Sequence, residues 1–581
     1  MKRICTVVSM AVLLTAFLGF TNACGKSEGE KNTELAQLPE VDMTLQKQAE
    51  DFLNKYLGEL DKLYVDQATK YWAAANSGKA EDFDAYAESD LNLRKVHSDP
   101  KRYAEIQKLL AQKDKLKPLT ARSLTVAELG FKGNQLPQEL LEKMTKTAAE
   151  IEQYFTAFRG KLKGKEYADN ELKDMLKTEM NSAKRQKIWE AMKQVGEAVG
   201  PKLIELAKIR NEAAKKLGYL NYWDMQIRLQ EHNPEQIISI FAELETQTNE
   251  PFKQRKAKID SELAARFKIK PAEMRPWHYD DPFFQETPPS DKIDMDDFYK
   301  DKKKEDIIEI AKKFYADIDL PIESIVEKSD IYERPGKNQH AFCTSIDHKG
   351  DTRALLNIKP SARWMETALH EMGHGVYDKF MDYTLPFNLR DAAHTFTTEA
   401  VAMIFGALAR NPVWMTAYAN CDNAKIKALE PEILEQRKRE QLIFARWALV
   451  MLNFEKSLYE NPDQDLNKLW WDLVERFQGV TRPGNRNSPD WAAKIHFTIA
   501  PVYYHNYQLG ELFAAQLRGT LSKLAKHTGP SYTLNYGQHK EFGNYFKEKI
   551  FKPGMTMTWP DFIQAATGEP LSAKYFADEV K

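Results

Sequence analysis

Cysteine is almost missing from this chain, with four in 581 residues, and only Cys343 and Cys421 lie beyond residue 24. That excludes a disulfide framework as the source of stability, which a chain of this length does not need. A single Cys343–Cys421 bridge is left open. An excess of charge of one sign is missing too. Lys and Arg number 83 against 85 Asp and Glu, a formal net charge of −2, which argues against a dedicated nucleic-acid binder. After the first 20 residues no apolar run is long enough to span a bilayer. Strand character is scarce, no internal repeat recurs, and low complexity is confined to a short polar stretch.

The N-terminus reads as a targeting segment. Met1-Lys2-Arg3 is a basic start, CTVVSMAVLLTAFLGF an apolar run, and TNAC a small-residue end before Cys24. The expected reading is a lipoprotein signal over 1–24, with Cys24 as the lipidated N-terminus and residues 25–40 as a polar tether. The protein is then exported and anchored in a bacterial envelope, on its periplasmic or surface face, with Cys24 as the only membrane contact. An ordinary secretory signal or an uncleaved anchor would also place it outside the cytoplasm.

Residues 41–581 read as one helical domain. Apolar residues recur at three- and four-residue spacing, as in PKLIELAKIRNEAAKKLGYLNYWDM. Residues 41–135 hold several charged amphipathic helices suited to a lid or a separate subdomain, and about 136–581 form the body. A Pro- and aromatic-rich segment, RPWHYDDPFFQETPPSD, interrupts the pattern near 275–291. The best strand signal is HAFCTSID and TRALLNI around a Lys349-Gly350-Asp351 turn, an edge on which an extended peptide can lie. The fold class is all-α with a minor hairpin.

Residues 370–374 read His-Glu-Met-Gly-His inside the helical run SARWMETALHEMGHGVYDKF. Histidines four apart share one helix face, so His370 and His374 can bind one metal ion. Glu371 lies one residue round, within reach of a water but outside the coordination shell, as in zinc peptidases. A chance HExxH in a chain of this composition has odds of about two in a hundred. A catalytic zinc needs a third protein ligand and an open position. Phe380 stands six residues after His374, where a metzincin has histidine. The better candidate is Glu399, the only acid in the apolar helix HTFTTEAVAMIFGALAR, where a carboxylate is costly unless paired or metal-bound. Asp378 and Asp391 are rivals, an exposed helix-start role for Glu399 is the bland alternative, and His394 reads as a loop or packing residue. Two histidines with one glutamate suit Zn²⁺, one per chain.

Further motifs carry a resemblance. His340-Ala341 lies thirty residues before His370, and KIHF spans 494–497. Tyr504 and Tyr507 form a Tyr-x-x-Tyr pair, and LWWDLVERFQG spans 469–479. In this order the motifs resemble those of the angiotensin-converting-enzyme family of zinc peptidyl dipeptidases over roughly residues 190–520. The resemblance implies a two-lobed helical gluzincin, with a deep cleft under a lid that admits short peptides. His370, His374 and Glu399 would hold zinc. Glu371 would take a proton from the attacking water and hand it to the leaving amine. His496 and Tyr507 would hydrogen-bond the oxyanion, and His340 and Ala341 would grip the substrate backbone. Lys494 and Tyr504 would bind the C-terminal carboxylate, setting cleavage two residues from the end.

Some positions depart from the family pattern. The glutamine that helps hold that carboxylate aligns near Tyr279, which implies a differently built clamp. Val474 and Asn506 stand where the animal enzymes place chloride-binding arginines, which argues against strong chloride activation. Gln339 replaces the first of two cysteines flanking the hairpin. Met403 replaces an aspartate that supports the metal site, so another group must orient a zinc histidine. Two rival functions remain: a thimet-type oligopeptidase cleaving internally, and an inactive peptide-binding lipoprotein, for which an intact Glu371 has no use.

Overall fold

A computed structural model describes residues 40–290 and 292–581; the expected signal segment, Cys24 and all but the last residue of the expected tether lie outside the described residues. The chain folds as the all-α protein expected, with two small antiparallel two-stranded sheets the only ones among the described residues. None of the described helices is long and apolar enough to cross a membrane.

Four helices, Met43–Ser77, Ala80–His97, Pro100–Leu110 and Pro118–Lys132, make up the segment read as a lid. Their starts follow local chemistry. Asp42 and Asp99 accept from the first free N–H groups of their helices, and Pro100 occupies the first turn. The four share a small core of their own, in which Leu53, Tyr56, Leu124 and Phe131 meet. Phe387 is the body residue that enters that core. Polar ties reinforce the junction. Arg122 forms a partly buried pair with Glu231 and donates to the Met555 carbonyl at 2.7 Å, and Ser123 Oγ donates to Asn388 Oδ1 at 2.8 Å.

The body is one continuous apolar core running from Ile151 to Val580. Its long members are the helices Ser182–Lys216, Pro234–Phe267 and Asn423–Glu460, each started by an Asn or Asp cap. The hairpin pairs Phe342–Ser345 with Thr352–Leu355, and Asp330 bridges the far side of the second strand. The first strand is therefore the edge, although Tyr64 of the helix Met43–Ser77 already donates to Ser345 O at 3.2 Å. The expected strand starts two residues late, leaving His340 and Ala341 in the chain leading into it. Cys343 and Cys421 are both buried, and the bridge between them left open by the sequence is not formed.

Candidate active site

Two helices cross at the HEMGH segment. Ala362–Lys379 begins where Ser361 Oγ accepts from Trp364 N at 3.2 Å. Met365, Leu369, Met372 and Val376 form its fully buried stripe. The second helix, Thr395–Gly406, lies against the first because two glycines permit it. A Cβ on Gly373 would stand 2.9 Å from Ala402 Cα, and one on Gly406 would stand 3.2 Å from His370 Cβ. This close crossing delivers Glu399 to the histidines.

The Glu399 carboxylate lies 3.6 Å from His370 Nε2 and 3.8 Å from His374 Nε2. All three ligand atoms fall within 4.8 Å of one another, and no other such trio occurs among the described residues; Asp378 and Asp391 do not join it. Tetrahedral coordination at zinc bond lengths puts ligand atoms about 3.3 Å apart, so the two Glu399–histidine separations reach zinc geometry after shifts of a few tenths of an ångström. His374 Nδ1 lies 2.8 Å from Thr398 Oγ1. With its Nδ1–H given to that hydroxyl, the imidazole keeps its Nε2 lone pair facing Glu399. Thr398 thus does the orienting that Met403 cannot. Glu371, one residue past His370, is 8% exposed.

A second group gathers on less regular chain. Lys494 Nζ donates to Gln285 Oε1 at 2.6 Å, and Tyr504 OH donates to the same oxygen at 3.4 Å. The cluster thus has its glutamine at Gln285, six residues past the position near Tyr279, in the differently built way the sequence implied. Tyr279 instead donates to Asp260 and accepts from Lys256, both at 2.8 Å. The signal was hidden because 279–285 is an irregular turn with left-handed backbone at Asp280 and Phe284, so counting from Trp277 misplaces the residue. The turn is held from several sides. Asp281 Oδ1 accepts from the N–H groups of Phe283 and Gln285, both at 2.9 Å. Trp189 Nε1 donates to Pro282 O at 3.0 Å, and Gln478 Nε2 donates to the carbonyls of Phe283 and Phe284 at 3.1 and 2.7 Å. The Gln478-Gly479 pair of the LWWDLVERFQG motif thereby supports Gln285, and Gly479 ends its helix in the left-handed conformation.

Electrostatics distinguish the members of this group. The Lys494 ammonium sits 5.2–5.6 Å from the rings of Phe283, Trp447 and Tyr504. Burial brings its pKa down to about 8, with Asp281 opposing the fall. Burial, then the Lys494 charge, lowers His496 to about 4, so its imidazole is neutral near pH 7 and can donate one N–H. Its Nδ1 is buried without a hydrogen-bond partner. Burial raises Tyr504 to about 12 and Tyr507 well above the ordinary phenol value, with Tyr503, Tyr504 and Glu399 adding to the latter. Both phenols are therefore donors. Ring centroids stand 5.1 Å apart for His496–Tyr504 and 5.3 Å for Tyr504–Tyr507, so these side chains lead from the Lys494–Gln285 pair toward Glu399.

His340 and Ala341 stand on a third element. His340 is exposed, its N–H bound to Asn338 Oδ1 at 2.9 Å, and Ala341 is half-buried. His394 caps the Glu399 helix and packs on His232 and Phe396, the packing role expected of it. Val474 is buried, and Asn506 is tied to Gln230 at 2.7 Å and His232 at 3.0 Å.

The sequence model of the peptidase M2 family, angiotensin-converting enzyme, matches residues 43–577. The chain belongs to that family. Among curated angiotensin-converting enzymes, the rabbit (Oryctolagus cuniculus) protein is 25% identical over 276 residues, 45% of this chain and 21% of that one. The cattle (Bos taurus) protein is 27% identical over 271 residues, covering 45% and 20%. The Theromyzon tessulatum protein is 25% identical over 262 residues, covering 43% and 41%. The matched stretch is thus about a fifth of the mammalian angiotensin-converting enzymes and less than half of the Theromyzon one.

Proposed function

We propose that this member of the angiotensin-converting enzyme family is a zinc peptidase that removes dipeptides from the free C-termini of short peptides. One observation carries the reading: a buried lysine, a tyrosine and a glutamine converge on one point, linked by His496 and Tyr507 to a His-His-Glu trio. A trio alone suits any zinc peptidase. A buried ammonium beside two neutral polar groups suits a substrate carboxylate, and its fixed offset from the trio counts residues from the C-terminus.

His370, His374 and Glu399 would hold zinc, which when bound supplies Lewis acidity toward the scissile carbonyl and lowers the pKa of water to about 7. Glu371 accepts the proton of the attacking water and returns it to the departing amine. His496, neutral, and Tyr507, protonated, donate to the oxygen that gains charge in the transition state. Lys494, Tyr504 and Gln285 hold the terminal carboxylate. His340 and Ala341 offer the edge of the hairpin to the peptide backbone. Export with a lipid anchor at Cys24 belongs to the same proposal, since a cell envelope supplies short peptides.

The test pairs a free-acid peptide with its amidated twin and identifies products by mass spectrometry, with Glu371→Gln as background. A dipeptide released from the free acid only is the expected result. Equal internal cleavage of both peptides would overturn the clamp and favour an oligopeptidase. Cleavage no faster than the Glu371→Gln background would favour a peptide-binding protein.

A further inference from the structure

Between His496 and Tyr504 the chain does something its local sequence does not require. A four-residue helix, His496–Ile499, stops, and the next helix begins at His505. In the gap Val502 adopts φ +53°, a left-handed backbone that a β-branched residue rarely takes. Val502 is also buried. A local sequence left to itself would relax this geometry, so something else must hold it.

The main restraint comes from two helices that carry none of the residues proposed to bind metal or substrate or to do the chemistry. Arg210, on Ser182–Lys216, donates to the carbonyls of Phe497 and Thr498 at 2.6 and 2.7 Å, and to Tyr459 OH at 3.0 Å. Glu455, on Asn423–Glu460, accepts from Val502 N at 2.8 Å. Gln230 Nε2 completes the hold by donating to Val502 O at 3.0 Å. Arg210 and Glu455 are 5% and 4% exposed. Burying a guanidinium and a carboxyl is costly unless each is well partnered. Here, Tyr459 apart, the hydrogen-bond partners of both are main-chain groups of one short segment, the one that bears His496 and leads into Tyr504 and Tyr507.

We propose that Arg210 and Glu455 are positioning residues: from two buried helices they hold segment 496–504 in its strained path and so set His496, Tyr504 and Tyr507 against the substrate. The inference rests on the reading of His496 and Tyr504 given above. Neither residue touches the peptide. Arg210 fixes the carbonyls just after His496, and Glu455 fixes the N–H two residues before Tyr504. Burial pushes Glu455 up to about 8, so it is largely protonated at neutral pH. Glutamine then copies both its shape and its acceptor oxygen.

The test measures kcat/KM on the free-acid peptide, zinc per chain and Tm for Glu455→Ala, Glu455→Gln, Arg210→Lys and His496→Ala, with the double variant Glu455→Ala/His496→Ala. Misplacing catalytic groups by about an ångström costs about 10- to 100-fold, and that loss is expected for Glu455→Ala and Arg210→Lys with zinc retained. Glu455→Gln should stay within about threefold of the parent. The double variant should fall short of the product of its single losses by at least about threefold, as for residues acting through one another. Simple destabilisation would give neither the rescue nor the coupling. Parent rates in Glu455→Ala and Arg210→Lys, or equal losses in Glu455→Gln and Glu455→Ala, would overturn the proposal. Should Glu455→Ala not fold, the volume-conserving pair decides: a loss in Arg210→Lys with none in Glu455→Gln supports it, and any other pattern overturns it. His496→Ala separates the two readings. A loss there with no loss at Arg210 and Glu455 sinks the positioning alone, whereas no loss there sinks the reading of His496 and the positioning with it.

Discussion

The candidate metal trio and the proposed peptide grip are built in opposite ways. His370, His374 and Glu399 sit within two regular helices, 18 and 12 residues long, whose backbones are fixed by their own ladders. The trio needs two glycines to bring the helices together and one threonine to turn a ring. Gln285, Lys494, His496 and Tyr504 sit on an irregular turn, just past a short 3-10 stretch, on a four-residue helix and at a helix start. The Gln285 turn and the segment from His496 to Tyr504 are held by buried side chains, Asp281 from close by and Gln478, Arg210 and Glu455 from far away in sequence. The difference teaches where each part is vulnerable. Local helix geometry protects the trio from distant changes, while the grip inherits every error in its supports.

Chemistry and geometry can be separated most sharply at the trio. Glu371→Gln keeps the helix and the ligands but removes the base, so kcat/KM should fall about 10²- to 10⁴-fold with zinc per chain unchanged by atomic absorption. His374→Ala should lose the zinc itself. A Glu371→Gln protein that also loses zinc would show that the two functions of this helix are not separable. On the grip the expected losses are smaller and appear in KM. Lys494→Met removes a charge-assisted hydrogen-bond donor, worth about 1.5–3 kcal/mol, so KM for a free-acid peptide should rise about 10- to 100-fold. Gln285→Ala removes a neutral partner and should cost about 2- to 10-fold. Neither should alter the rate on an amidated peptide, and an equal effect on both peptides would deny these residues the carboxylate.

This contrast also explains what could be read in the chain. The helical body, the four-helix lid segment and the hairpin follow from periodicity and turn residues, which are local rules. The His370–His374 pair follows from i,i+4 spacing. Glu399 followed from being a lone acid in an apolar helix, a signal that is local too. Gln285 was missed because its register depends on a turn set by Asp281, Trp189 and Gln478, contacts up to 195 residues apart. Thr398 was missed for a different reason: a threonine beside a ligand has no distinguishing pattern until the helix crossing places its hydroxyl on His374. Arg210 and Glu455 read as ordinary charged residues of long helices, and only burial against the segment after His496 gives them meaning.

Thr398 sharpens the comparison from the trio's side. Thr398→Val keeps the shape and removes the hydroxyl that orients His374, and losses of such partners cost about 10- to 100-fold in metal affinity. Competition with a chelator should show that drop, while the rate at saturating zinc stays near the parent's. A rate that fell with zinc fully bound would mean the trio also depends on an outside support, and the contrast would weaken.

The smallest effect is the one that ties the grip to its burial. The pKa of Lys494 is depressed from the ordinary lysine value to about 8, chiefly by burial. The ammonium is present below that value and is lost as pH rises through it, so KM for a free-acid peptide should be flat to about pH 7.5 and then climb, by at most about tenfold per pH unit. The amidated peptide should show no such limb. Asp281 favours the charged form, so Asp281→Asn, which keeps an acceptor oxygen for the Gln285 turn, should shift the limb to lower pH. Stability should move the other way. A lysine whose folded pKa lies below its unfolded one binds fewer protons when folded, so its burial penalises the fold below about pH 8 and the penalty fades toward pH 10.5. Lys494→Met should therefore raise Tm at pH 7, and the gain should shrink as the pH approaches 10. A Tm gain that is absent, or that grows with pH, would mean that the ammonium is not buried at a cost and that the grip is not under the tension its supports imply.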